Sequence, residues 1–419
     1  MSQVSFAQVA ALQHEKVRPK LELLYQKDNT LWSMIEDKTE SYNVAGRPSR
    51  IPIEVLAGTK FAQANIDGGD LGLGGGMTTD VFTLTPVYFS EAIQYSKFAE
   101  ITTDSSEKSI TDFVDLQLKR AMEQFRTNMD AAIQGDSSNT LDTVVSATGT
   151  TITVTNPNQF YSGQDILVFA SLGGTNRTAA GPATILSVDA ANKVLNLTAA
   201  IPGGTTTGDL LLINGSSGAA GAGVNGVKTF QVQSNIGTLL GVNRATYPGL
   251  ISTPHVNANN LPLTPAMARR SLAAIQQALG IDYPDEMKLV YHMNLDMVAA
   301  WENLGLAVSQ VQVQALPGKN SIDMLQAAPP KTFAGRPLLA NIHAAPGRID
   351  GLCLKSWGRV MSQKLDFIDW GGQTLFPTYG ASGGLNASTI SYLWMGVNLY
   401  NANPRAGVYI DNVPVPTGY

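Results

Sequence analysis

The stretch DSSEKSITDFVDLQLKRAMEQFRTNMDAAIQG, residues 104–135, carries the clearest periodic signal in the chain. Apolar residues recur at Ile110, Val114, Leu118, Ala121/Met122, Phe125, Met129 and Ile133. The spacing is three or four throughout, so they form one stripe of an amphipathic helix. Asp104 with Glu107 three residues later is a capping-box-like start, with Asp in place of Ser or Thr, and Gly135 supplies the stop. About 28 residues at ~1.5 Å each predict a helix of roughly 40 Å. Its other face carries Lys119, Arg120, Glu123, Arg126 and Asp130, so it lies across a surface rather than through a core. The stripe is too short and irregular for a coiled coil, which needs several a/d heptads.

Upstream the grammar is that of strands. Ile51–Leu56 and Val81–Thr85 read as two strands, and between them Asp67–Met77 holds six glycines in eleven residues. Strand, mobile tip and returning strand make an extended β-arm that is marginal in water without a neighbour. A phosphate-cradling loop is the rival reading of those glycines. It fails because no Lys-Ser/Thr follows Gly72-Leu73-Gly74 and the next element is a strand rather than a helix. Before the arm, residues 1–45 read as a weakly amphipathic segment of mixed charge, broken by Pro19.

Downstream, residues 137–222 shift composition. Only six charged residues occur in these 86, and short apolar runs alternate with turn signals at 150–155, 166–170, 183–188, 194–198 and 210–213. That pattern predicts a small β-barrel or sandwich, closed by a flexible linker over Gly215–Gly223. From 223 on, the chain returns to mixed α and β. Thr264-Pro265 opens a helix running to Gly280, Met287–Tyr291 reads as a strand, and Asn294 opens another helix. Strand-like runs follow at Gly351–Lys355, Ile390–Leu399 and Val408–Asp411.

The whole chain has 419 residues, 44% of them hydrophobic and 15% charged, with a formal net charge of −5. This excludes a disordered chain and disfavours a basic nucleic-acid-reading module. So little charge on so large a chain points to a surface covered by partners. Cys353 is the one cysteine, which excludes an internal disulfide and a cysteine-built zinc site. No apolar run is long enough to span a membrane and no secretory signal core is present, so the expected place of synthesis is the cytoplasm.

No catalytic or metal constellation assembles. The histidines, His14, His255, His292 and His343, have no ligand spacing, and no G-x-S-x-G elbow exists. His292 and Asp296 straddle a strand-to-helix junction, where Asp296 serves the helix dipole. Asp366 and Asp369 are the best carboxylate pair, but their alternation with Leu365, Phe367 and Ile368 places them on the exposed side of a strand. Cys353, between Leu352 and Leu354, reads as a small buried residue. The expectation is no catalytic residue, no cofactor and no metal.

An N-terminal arm, a Gly-rich two-stranded arm, a long oblique helix and a mixed body ending in strands resemble, in that order, the major capsid proteins of tailed bacteriophages. Phrases such as Tyr247-Pro248-Gly249-Leu250 and Pro284–Val290 add to the likeness. The resemblance implies an α+β, HK97-like capsid fold. Residues 1–45 would be its N-arm, 46–103 the extended loop with flanking strands, and 104–136 the spine helix of the peripheral domain. Residues 223–355 would be the axial domain and 356–419 C-terminal strands shared by both domains. The β-rich block at 137–222 is extra to the minimal fold, an inserted all-β domain. Implied partners are further copies of the chain in hexamers and pentamers, a separate scaffolding protein, a portal, packaged double-stranded DNA held without base readout, and a decoration protein. The implied location is the virion. The expected inter-subunit contact loop comprises Lys60, Asp67, Gly68, Gly69, Asp70, Gly72, Gly74, Gly75 and Gly76. No local motif supports carrying over the Lys–Asn crosslink of some members to Lys60. Two alternatives stand beside the shell subunit of a virus: an encapsulin-type compartment, which shares the fold, and a β-rich surface adhesin.

Overall fold

The computed structural model describes residues 30–38, 49–61, 74–97, 113–280, 288–312, 332–380 and 382–415. A short helix, α1 (Thr30–Met34), buries Leu31 and Trp32. Strands β1 (Ser49–Leu56) and β2 (Thr78–Leu84) pair antiparallel, with Ser49 opposite Leu84 and Leu56 opposite Thr78. Ile51, Phe82 and Leu84 are buried at the base of this arm, whereas Leu56 and Met77 are exposed toward its tip. Beyond the strands, the Gly75 N–H donates to the Gly58 carbonyl at 2.9 Å. Gly58 has φ +70°, and a Cβ there would sit 2.2 Å from the Gly76 oxygen, so only glycine closes the arm at this point.

Strand β3 (Val87–Ser96) follows directly and leads toward helix α2 (Phe113–Ala132). Within α2 and just past it, Phe125, Met129 and Ile133 are buried in the stripe the sequence predicts. The expected start at Asp104 lies outside the described residues. At the other end the helix stops three residues short of Gly135, and its 20 residues span about 30 Å. Gly135 is not a left-handed cap. It is needed because a Cβ there would lie 2.8 Å from the Thr140 carbonyl oxygen of the next strand.

That strand, β4 (Thr140–Thr148), begins a closed barrel with β5 (Thr151–Val154), β6 (Asp165–Phe169), β7 (Ala183–Asp189), β8 (Val194–Leu197) and β9 (Leu210–Ile213). The order around it is β4-β5-β8-β7-β6-β9. Alternate residues such as Ile152, Val154, Ile166, Val168, Leu195 and Leu211 fill a core of the barrel's own. The flexible linker expected over Gly215–Gly223 is instead stitched down. Gly173 N–H donates to the Gly218 carbonyl (2.8 Å), Gly223 N–H donates to Ser137 O (2.6 Å), and Val224 N–H donates to Asn139 Oδ1 (3.0 Å). A Cβ on Gly218 would strike the Phe169 ring at 2.4 Å. These glycines permit close approach rather than motion.

The chain continues through α3 (Val227–Phe230), a small hairpin of β10 (Thr238–Leu239) and β11 (Val242–Asn243), and β12 (His255–Asn257). Helix α4 (Pro265–Leu279) starts where Thr264 Oγ1 accepts the Met267 N–H and ends at Gly280, φ +67°. Next come β13 (Leu289–Met293), α5 (Leu295–Gln312), β14 (Thr332–Phe333), β15 (Arg336–Ala340) and β16 (Ile349–Cys353). After β17 (Trp357–Phe367), β18 (Phe376–Tyr379) and β19 (Leu385–Asn401), β20 (Val408–Asp411) ends the described strands. Strands β12-β20-β16-β13-β15-β14 form a six-stranded mixed sheet, whose core includes Ile275 from α4 and Met297 from α5.

The second large sheet is built on β19. Along one edge β3 pairs with it from Val87↔Val397 to Ser96↔Ser388. Along the other edge β17 and β18 follow end to end, β17 opposite 393–401 and β18 opposite 385–390. The segment between them stays attached, with Ile368 N–H donating to Tyr392 O and Ser391 Oγ to Thr374 O, each at 2.9 Å. Trp32, Phe125, Met129, Met361, Met395 and Val397 share one core, so α1 and α2 are clamped on this sheet. Strand β3 is absent from the two-stranded sequence reading because its partner lies about 300 residues further along the chain.

Candidate assembly interface

Among the described residues no group of three or more His, Cys, Asp or Glu side chains could hold a metal ion. The residues considered for chemistry have structural surroundings. His255 Nε2 meets Asp411 Oδ1 at 2.7 Å and its ring stacks on Tyr409, which ties β12 to β20. His292 and His343 are buried, as is Cys353. Asn294 Oδ1 accepts the Asp296 N–H, so Asp296 sits in the first turn of α5 while His292 stays in β13. Asp366 lies at the exposed end of β17, and Asp369, beyond it, accepts the Gly372 N–H at 2.7 Å. The two aspartates do not share a cleft.

Of the predicted contact loop, Lys60, Gly74, Gly75 and Gly76 are described, and Lys60, Gly74, Gly75 and Gly76 are exposed. Asp67, Gly68, Gly69, Asp70 and Gly72 lie outside the described residues. What the sequence reading missed is the apolar character of the arm's flanks. Phe61 is fully exposed, and Leu56, Met77 and Val81 are exposed with it. An aromatic ring with no cover among the described residues is a large apolar area left in water, about 2 kcal/mol or more if buried.

A second exposed apolar surface lies at the far end of the β19 sheet. The C-terminal half of β19 is buried without a break from Met395 to Asn401, whereas Leu385 to Ala387 are exposed. Around that outer half, Trp370, Leu375, Tyr379 and Leu385 are all exposed, Trp370 at 79%. The strand therefore runs out of its own core by several residues and carries apolar groups as it goes. Alternation in 385–392 alone does not reveal this, because a strand face looks the same whichever chain covers it.

A third feature is a cleft of about 690 Å³ between α2, β3 and the barrel. Glu91 on β3 lines it, and burial pushes its carboxyl up to about 7. Across from it Tyr161 is pushed up to about 12, first by burial and then by the Glu91 charge. Asn128, Gln159, Gln164 and Asp165 also line the cleft, and no lysine or arginine among the described residues does. The groups form no nucleophile–base pair.

No protein-family model matches the sequence, and no curated protein does. Solved structures do. The capsid asymmetric unit of cyanophage A-1(L) superposes with a TM-score of 0.57 at 13% identity, covering 98% of this chain and 99% of that one. The capsid of a native GTA particle gives 0.52 at 11% identity, covering 99% and 100%. The SrpI encapsulin of Synechococcus elongatus PCC 7942 gives 0.50 at 10% identity, covering 100% and 99%. Near-complete coverage in both directions makes this a likeness of the whole chain. The fold is the HK97-like capsid fold, a mixed α+β architecture shared with these capsid and encapsulin structures.

No helix among the described residues is long and apolar enough to cross a membrane.

Proposed function

We propose that the chain is the major structural subunit of a viral shell, assembling through hexamers and pentamers into an icosahedral capsid around double-stranded DNA. The observation that carries this reading is the pair of uncovered apolar surfaces, on the β1–β2 arm and at the outer end of β19, on a chain whose fold matches shell proteins end to end. An arm with its base in the core and Phe61 exposed on its flank calls for a second copy to cover it, and repeated heterologous contacts of this kind close into rings. In this reading α2 is the spine helix, the β19 sheet with α1 and α2 is the peripheral domain, and the six-stranded sheet with α4 and α5 is the axial domain. The barrel is an insertion between them. The loop from Lys60 through Asp67, Gly68, Gly69, Asp70, Gly72, Gly74, Gly75 and Gly76 is the inter-subunit contact. A scaffolding protein, a portal and a decoration protein are the expected partners, the DNA is held by confinement without base readout, and synthesis takes place in the host cytoplasm.

Negative-stain microscopy of the purified or co-expressed protein is the test. Closed shells or five- and six-membered rings are expected, and a protein that stays monomeric under every assembly condition refutes the reading. Deleting 68–76 is expected to spare the folded subunit and abolish rings. The same fold serves encapsulin-type compartments, so the content of the particles, DNA or a cargo protein, separates the two.

A further inference from the structure

Where α1 crosses α2 and β17, a pocket of about 220 Å³ opens to the surface. Its apolar wall is made by Trp32, Phe125, Met129, Met361 and Met395, all nearly buried, and three of these five are methionines. Unbranched thioether side chains adapt to more than one shape, and Met-rich surfaces recur where peptides are bound. The rim is cationic: Arg126, Lys364 and Arg359 all border the opening.

These three cations differ in one respect. Arg359 is already committed. Its Nε pairs with Asp37, its guanidinium donates to Trp32 O at 2.9 Å, and it lies 4.6 Å over the Trp32 ring. Arg126 and Lys364 are exposed, and no acidic side chain among the described residues pairs with either. The nearest acids in sequence are engaged elsewhere: Asp366, near Lys364, accepts the Phe367 N–H, while Glu123, one turn before Arg126, pairs with Arg120 at 2.6 Å, and Asp130, one turn after it, accepts the Trp32 N–H. The rim thus presents two cations with no ion-pair partner among the described residues, on a chain whose formal net charge is −5.

We infer that this pocket is a docking site for an acidic, amphipathic peptide segment of another polypeptide, which inserts one large apolar side chain between Trp32 and the methionines and sets carboxylates against Arg126 and Lys364. The volume accepts one side chain of leucine or phenylalanine size. Charge complementarity decides the flanks, since a lysine beside the anchor would meet two like charges, whereas a carboxylate meets two charge-assisted donors. A nucleic-acid backbone satisfies the rim but offers no apolar group to the floor, so the apolar wall favours a peptide. The site goes beyond the shell reading and does not need it, because it lies within one folded subunit.

The test uses the full-length subunit in its unassembled form. A library of roughly 12-residue peptides, each with a central Leu, Phe or Trp and flanks randomised among Asp, Glu, Gln, Lys and Ser, is selected against it. Enrichment of Asp and Glu around the anchor is expected. Affinity of the best peptide, read by fluorescence polarisation, is expected to fall about tenfold or more in R126E/K364E and to weaken toward about 0.5 M salt. The gentler R126Q/K364Q guards against a folding defect and is expected to lose several-fold with an unchanged melting profile. Selection without charge preference, or binding equal in both double variants, overturns the proposal. So does a double-stranded oligonucleotide that binds through the same two cations as tightly as the best peptide. Failure here leaves ring formation unaffected, so it is distinguishable from failure of the shell reading.

Discussion

Replacing Glu91 by Gln removes a carboxyl that burial holds at about 7, against an ordinary value near 4.5. The native state therefore keeps its proton over a pH range in which the unfolded chain has released it. Stability falls as pH rises wherever the native state binds more protons. The Glu91 contribution is thus unfavourable above about pH 7 and vanishes below about pH 4.5. At about 1.4 kcal/mol per pH unit, the distance from about 4.5 to about 7 sets a ceiling of roughly 3 kcal/mol, and water in the open cleft makes about 1–3 kcal/mol the working range. E91Q keeps the shape of the protonated side chain without the titration. Urea unfolding followed by tryptophan fluorescence at steps from pH 5 to 8.5 compares the two proteins. The stability gap is expected to be smallest near pH 5, about a quarter of its full size, and largest at pH 8.5, where E91Q is the more stable. Curves that run parallel across the whole range refute the reasoning, because the cleft would then be hydrating the carboxylate as well as bulk water does.

At Gly58, φ +70° and the 2.2 Å approach to the Gly76 oxygen leave no room for a side chain, so Gly58→Val opens the arm. Limited proteolysis is expected to cut within 57–77 several-fold faster while the main unfolding transition stays put. In the barrel, Asp209 is buried and meets Arg177 Nε at 2.6 Å while accepting the Thr206 N–H at 2.8 Å. Asp209→Ala leaves that guanidinium only Thr206 Oγ1 and Gly203 O, and is expected to cost the barrel about 2–3 kcal/mol, read as loss of hydrogen-exchange protection in 140–213. The barrel leaves and rejoins the body where Gly223 N–H meets Ser137 O at 2.6 Å. Replacing 140–222 by a short Gly-Ser bridge is accordingly expected to yield a folded body, which circular dichroism and the melting profile check.

How much of this was legible in the sequence depended on the range of the interactions involved. Phe125, Met129 and Ile133 of the α2 stripe, the Thr264 cap with its Gly280 stop and the Asn294 helix start rest on contacts within four residues and stand where the spacing put them, whereas Asp130, assigned to the exposed face, is buried and accepts the Trp32 N–H at 2.7 Å. Five of the six barrel strands were equally plain. The sixth, β4, was hidden because Asp142, Thr143 and Ser146 break its alternation. Asp142 earns its place there through the next turn, where it accepts the N–H groups of Thr155 and Asn156 at 2.7 and 2.6 Å. Strand β3 and the reach of β19 depend on partners hundreds of residues away, and no local pattern encodes such pairing. The glycine run 215–223 was misread because glycine serves two opposite ends, chain freedom and close approach. Only the position of Phe169 and Asn139 shows that closeness governs here.

The interface was legible in one respect and hidden in another, for a single physical reason. Low charge leads to the expectation of a covered surface, since a monomer of this size stays soluble by charge. It could not say where, because an apolar strand residue facing a partner chain has the same sequence pattern as one facing its own core. Strand β19 makes the point within 17 residues. Met395 and Val397 lie in the subunit's own core, while Leu385 and the neighbouring Tyr379 and Trp370 are as apolar but remain in water. An isolated subunit gains nothing by extending a strand past its core with such residues, and it gains an aggregation liability. Their retention is understandable if burial is completed by another chain, and the proposed shell contact accounts for Phe61 on the arm in the same way. Two surfaces at separate places in the fold, each apolar and each uncovered, are what a heterologous contact requires of a single repeating subunit.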